Sequence, residues 1–125
     1  MVQSLFEQVG GEFGLRLIIN DFVGRVFADT MIGYLFRQAD ITRVREMEYQ
    51  FAASHLGGGV VYQGRPLTAT HQGHHILDGH FARRLQILKD VLTEHGCSSE
   101  VVSHWVKHTE LLKSKILSTD AKCNA

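Results

Sequence analysis

Apolar residues at Leu15, Ile18, Ile19, Phe22, Val23, Val26 and Phe27 recur at alternating gaps of three and one, so that like positions stand four apart. That is the period of a helix with one buried stripe, not the strict alternation of a half-buried strand. Similar stripes follow at Ile41, Val44, Glu48, Phe51, Ala52 and His55, then at Phe81, Leu85, Leu88 and Leu92, then at Val101, Trp105, Leu112 and Ile116. Their punctuation agrees. Gly10-Gly11 separates the first long helix from a short one containing Leu5, Phe6 and Val9; Asp40 stands as an N-cap, the Gly57 run closes the second stripe, Gly96 ends the third, and Ser98 or Ser99 opens the last. The only proline, Pro66, falls in a connection where it breaks no helix. The expectation is an all-α fold of about four main helices plus short ones, with helices near 80–95 and from Ser99 to about Leu117. Residues 118–125 are expected to fray.

At 125 residues the chain suits one domain, large enough to enclose a core and one cofactor. Thirteen basic and thirteen acidic side chains cancel, leaving no positive field for a phosphate backbone, so nucleic acid is not an expected partner. No apolar run is long enough to span a bilayer and no signal-like segment follows Met1. Membrane association is therefore not expected. Cys97 and Cys123 form no C-x-x-C pair, and a reducing cytoplasm suits them best.

The segment from Gly57 to Phe81 carries the chemistry. Gly57-Gly58-Gly59-Val60-Val61-Tyr62-Gln63-Gly64-Arg65 leads to His71-Gln72-Gly73 and on to Ile76, His80 and Phe81. A neutral imidazole on a short helical turn beside an apolar cavity is what a haem iron requires of a proximal ligand. Read alone, His71 is better taken as a histidine on the surface of a short helix. His71 with His75, and His104 with His108, stand at i, i+4 spacing that suits metal ligation, but no third ligand accompanies either pair and exposed side chains are the simpler expectation.

The whole ordered set, Leu5-Phe6-Glu7-Gln8-Val9-Gly10-Gly11, Asp21-Phe22, Arg25-Val26, Leu35-Phe36, Asp40, Phe51, Gly57-Gly58, Tyr62, Gly64-Arg65, His71-Gln72-Gly73 and His80-Phe81, resembles the truncated (2-on-2) haemoglobins, most like their group I. The likeness runs to about Leu117. It implies a truncated globin domain over 1–117, a 2-on-2 helical sandwich around haem b. His71 matches the proximal iron ligand, Phe36 the phenylalanine on the haem face, and Arg43 and Arg65 are candidates for propionate contact. Val44, Met47, Glu48, Tyr62, Ile76 and Phe81 complete the implied haem surroundings. Diatomic gases are the implied ligands and a reductase a possible electron donor; the resemblance names no catalytic residue and leaves the oligomeric state open.

Where the family commonly carries a distal tyrosine this chain has Val23, and Val44, Met47 and Glu48 occupy positions that often hold other polar groups. The usual donors to bound dioxygen are largely missing, a loss of roughly 1.5–3 kcal/mol of charge-assisted hydrogen bonding. Oxygen should leave faster, with CO and NO less affected. Glu48 donates only if protonated, which burial favours; otherwise it sits at the pocket rim or in water. Met47 either packs or, as a thioether ligand opposite His71, makes a six-coordinate redox or sensing protein. NO detoxification, peroxide chemistry and a scaffold without haem are further alternatives.

Overall fold

A computed structural model of the protein describes residues 3–60 and 78–123, with the side chains of 3–60 and 78–113. The expected short helix around His71, and Tyr62, Arg65, His71 and Ile76 themselves, lie outside the described residues.

Helix α1 (Leu5–Gln8) starts at Ser4, whose side chain accepts a hydrogen bond from the Glu7 amide at 3.1 Å. Gly10 and Gly11, at φ 98° and 66°, make the turn into α2 (Gly11–Ala28). Of the seven apolar residues that predict α2, six are buried and Phe27 is half-buried. Asp29 ends the helix: its carboxylate accepts from the Met31 and Ile32 amides at 3.0 and 3.2 Å and from Arg83 at 2.7 Å. A 3-10 turn, Gly33–Phe36, follows. It is pressed onto α2 so closely that a Cβ on Gly33 would stand 2.5 Å from the Phe27 carbonyl oxygen.

Asp40 caps α3 (Ile41–His55) through the Thr42 amide, as its position predicts. The buried stripe of α3 differs from the expected one. Tyr49, Ala52 and Ala53 are buried, whereas Ile41, Val44, Glu48, Phe51 and His55 form a half-buried border. Tyr49 goes inside because the Arg16 guanidinium lies 3.9 Å from its ring centroid, covering the aromatic face with a cation. Beyond α3, the Phe6 amide donates to the Leu56 carbonyl at 2.9 Å, and the Phe6 ring lies over Gly58.

Helix α4 (Asp78–Glu94) buries Phe81, Ile87, Leu88, Val91 and Leu92. It ends with Gly96 at φ 72° and with the Cys97 amide donating back to the Leu92 carbonyl, a glycine-terminated helix end of the Schellman type. Helix α5 (Ser99–Cys123) is capped by Ser98, whose hydroxyl accepts from the Val101 amide, and buries Val101, Trp105 and Thr109. It runs past Leu117 to Cys123, so the stretch expected to fray is helical to that residue; it contains no glycine or proline to stop helical hydrogen bonding.

Helix α2 packs on both α3 and α4, α4 packs on α5, and α1 bridges α2 and α5. The described residues thus form an all-α sandwich of two helical pairs, α2 with α3 and α4 with α5. Among them no helix is long and apolar enough to cross a membrane.

Candidate functional site

The described surface includes two concavities of interest. The larger, about 230 Å³, lies between α1, α2 and the α4–α5 turn and includes Leu17, Ile18, His95 and Cys97. Its chemistry is modest: His95 Nε2 is 2.9 Å from Asp21 Oδ2, and burial pushes the Cys97 thiol upward, away from thiolate reactivity. The smaller, about 20 Å³, is walled by Phe22, Val23, Val26 and Phe27 from α2, Phe36 from the 3-10 turn, Val44 and Glu48 from α3, and Arg84 from α4. One water needs roughly 10–15 Å³ of such space, so this cavity takes a ligand of very few atoms.

The wall is mostly apolar and partly aromatic. Phe27 and Phe36 stack with ring centroids 5.2 Å apart and planes at 25°. Phe27, Phe36 and Val44 remain half-buried although the core lies directly behind them. Only Glu48 and Arg84 are polar. Arg84 Nη2 is 3.3 Å from both carboxylate oxygens of Glu48, each side chain is 30% exposed, and the Arg84 guanidinium carbon lies 5.0 Å from the Phe22 ring centroid. Glu48 therefore lines the pocket half-exposed and paired with a cation, between the two sequence expectations of a buried acid and a side chain at the pocket rim or in water.

Among the other expected site residues, Phe36 and Val44 line the cavity and Met47 does not. At about 100° per residue, Met47 is rotated away from the Glu48 direction by one full residue step; it is half-buried. Arg43 is exposed on α3, and Phe81 is buried on α4 outside the main core cluster. The expectation that His104 and His108 are exposed is not met. Both are half-buried, because the end of α3 lays His55 across that face of α5. Among the described residues no group of three or more His, Cys, Asp or Glu side chains is arranged to hold a metal ion.

Arg84 is the site residue that sequence reasoning missed. The available signal was its position three residues after Phe81 and four before Leu88, which puts a charge on the apolar face of α4.

The sequence pattern of the bacterial-like globins matches residues 4–118. The chain belongs to that family. It is 34% identical over 100 residues to the Group 1 truncated hemoglobin GlbN of Mycolicibacterium paratuberculosis, covering 80% of this chain and 74% of the relative. A tyrosine-to-phenylalanine variant of truncated hemoglobin from Tetrahymena pyriformis, solved in its Fe(III) form, superposes with a TM-score of 0.85 at 26% identity, covering 92% of this chain and 98% of that one. The 2/2 hemoglobin from Synechococcus sp. PCC 7002 shares the fold, with a TM-score of 0.86 at 24% identity over 93% and 99% of the two chains. The globin is thus a truncated, 2-on-2 haemoglobin of the group I type, and haem b is the cofactor of that family. The side chains around the small cavity suit one face of such a cofactor, and the cavity itself suits only a ligand beside it. A porphyrin face needs a flat apolar surface, which the stacked Phe27 and Phe36 with Val44 provide, and small-ligand space beside it, which the 20 Å³ cavity provides.

Proposed function

We propose that this globin holds haem b through His71 and binds O2, NO or CO in the small cavity bounded by Val23, Phe36, Val44 and Glu48. Bound haem supplies the iron at which such ligands sit and electrons are exchanged. The chain supplies the surroundings. Phe27 and Phe36 give the haem face an apolar shelf, Val23 and Val44 keep the space dry and small, and Arg43 and Arg65 are the candidates for its propionates. The observation that carries this reading is the cavity itself: an aromatic-walled space of one-ligand size in a chain of this family. With valines at two donor positions, rapid exchange of neutral gases is favoured over tight oxygen storage. NO detoxification in the cytoplasm, with a reductase returning electrons, is the turnover this arrangement suits best.

Absorption spectra of the purified protein, ferric and ferrous, with and without CO, test the reading. The expected result is a Soret band that responds to CO and is lost or badly weakened in His71→Ala. A His71→Ala protein with the same spectrum would overturn the assignment of the iron ligand.

A further inference from the structure

Among the described residues that wall the cavity, Arg84 alone carries a permanent positive charge, and its tether is loose. Arg84 reaches Glu48 only at 3.3 Å, through a single nitrogen shared between two oxygens, whereas Arg83 reaches Asp29 at 2.7 Å and Arg25 reaches Glu94 at 2.8 Å. Charge-assisted bonds of full strength are about 2.7–2.9 Å long. The interhelical pair at the cavity is thus stretched. A guanidinium carries five N–H donors, and among the described residues the Nε and Nη1 groups of Arg84 make no hydrogen bond. The Phe22 ring, 5.0 Å away, fixes where the cation lies without consuming a donor.

We propose that Arg84 is the specificity-determining residue of this cavity and that it selects small monovalent anions, of the nitrite or azide class, with Glu48 as the internal competitor that the anion displaces. This rests on the haem reading given above. An anion offers the guanidinium the same charge-assisted contact that Glu48 offers only at 3.3 Å, and the cavity volume limits it to very few atoms. Neutral CO offers no charge, so it leaves the Arg84–Glu48 pair in place. Discrimination follows from the difference, since a ligand shifts an arrangement only by its differential affinity for the two states. Arg84 is a recognition residue here, and no bond to it forms or breaks.

Equilibrium titration of the ferric holoprotein with azide and with nitrite, followed by absorption, tests this. The azide affinity of Arg84→Met should fall by about tenfold to a hundredfold, the loss of one charge-assisted bond, with Arg84→Lys between it and the wild type. Glu48→Gln should bind azide several-fold more tightly, because the competitor has lost its charge. In both variants the affinity of the ferrous protein for CO should change less than that for azide. Protein that takes up no haem overturns the haem reading and this inference together. Protein with an ordinary haem spectrum whose azide affinity is the same in wild type and Arg84→Met overturns this inference alone. If Arg84→Met fails to fold, Glu48→Gln decides, and unchanged azide affinity there overturns the proposal.

Discussion

The imidazole rings of His55 and His108 lie nearly parallel, their centroids 4.1 Å apart and their planes at 15°. His104 completes the group, its Nε2 donating to the His55 carbonyl at 3.0 Å and standing 3.3 Å from His55 Nδ1. Trp105 and Phe51 meet His55 edge-on, and its Nε2 is buried with no hydrogen-bond partner among the described residues. Burial first, then the neighbouring His108 and His104, holds the His55 pKa down to about 3 from an ordinary 6.5.

A histidine buried in its neutral form makes the fold sensitive to mild acid. The unfolded chain takes up a proton near pH 6.5 that the folded chain refuses until about pH 3, so stability falls as pH drops through that window. The slope contributed by His55 approaches about 1.4 kcal/mol per pH unit. Urea unfolding between pH 7 and pH 5 should show a declining midpoint in the wild type and a flatter one in His55→Phe. Parallel curves for the two proteins would refute the assignment.

Asp29 acts in a separate, lower window. Its carboxyl is held below the ordinary carboxylate range chiefly by the Arg83 hydrogen bond, opposed by burial and helped by the Met31 and Ile32 amides. A depressed carboxyl stabilises above the unfolded value, and the contribution is lost as pH falls below about 4 through the folded value. The side chain is only 6% exposed. Asp29→Ala should cost about 1–3 kcal/mol in thermal or urea unfolding, and Asp29→Asn less, because the amide oxygen still accepts from the two backbone donors.

At Gly58 the constraint is steric. A Cβ there would lie 2.7 Å from the Phe6 ring, which is anchored through its own amide to Leu56. Gly58→Ala should destabilise by about 1–3 kcal/mol, the usual cost of overpacking. Thermal denaturation of the double variant with Phe6→Leu should recover much of that loss; no recovery would place the strain elsewhere.

Met47 separates gas binding from a six-coordinate redox protein. Because the cavity wall contains Val44 and Glu48 but not Met47, Met47→Leu should leave the ferrous absorption spectrum and CO association rate unchanged. A shift from a low-spin to a high-spin ferrous spectrum in that variant would establish Met47 as an iron ligand.

The helices were legible because three- and four-residue apolar spacing survives any tertiary detail: α2 buries nearly every residue its stripe nominates, and Asp40, Ser98 and Gly96 sit where helix ends require them. What escaped was decided by partners distant in sequence. Tyr49 is buried under Arg16, Glu48 is drawn to Arg84, and His104 and His108 are covered by His55. Each depends on where another helix lies, which periodicity within one helix does not encode. The haem-side expectations for Tyr62, Arg65, His71 and Ile76 rest on family likeness and on the spectra proposed above.

Gly33 has a mechanical consequence. Since its close approach to the Phe27 carbonyl clamps the 3-10 turn to α2, the rings of Phe27 and Phe36 ride on one rigid body, while Glu48 and Val44 ride on α3 and Arg84 on α4. A displacement of α3 relative to α2 would carry Glu48 and Val44, and neither of the two rings nor Arg84. On the haem reading proposed above, a shift of Glu48 against Arg84 would therefore leave the Phe27–Phe36 surface unchanged.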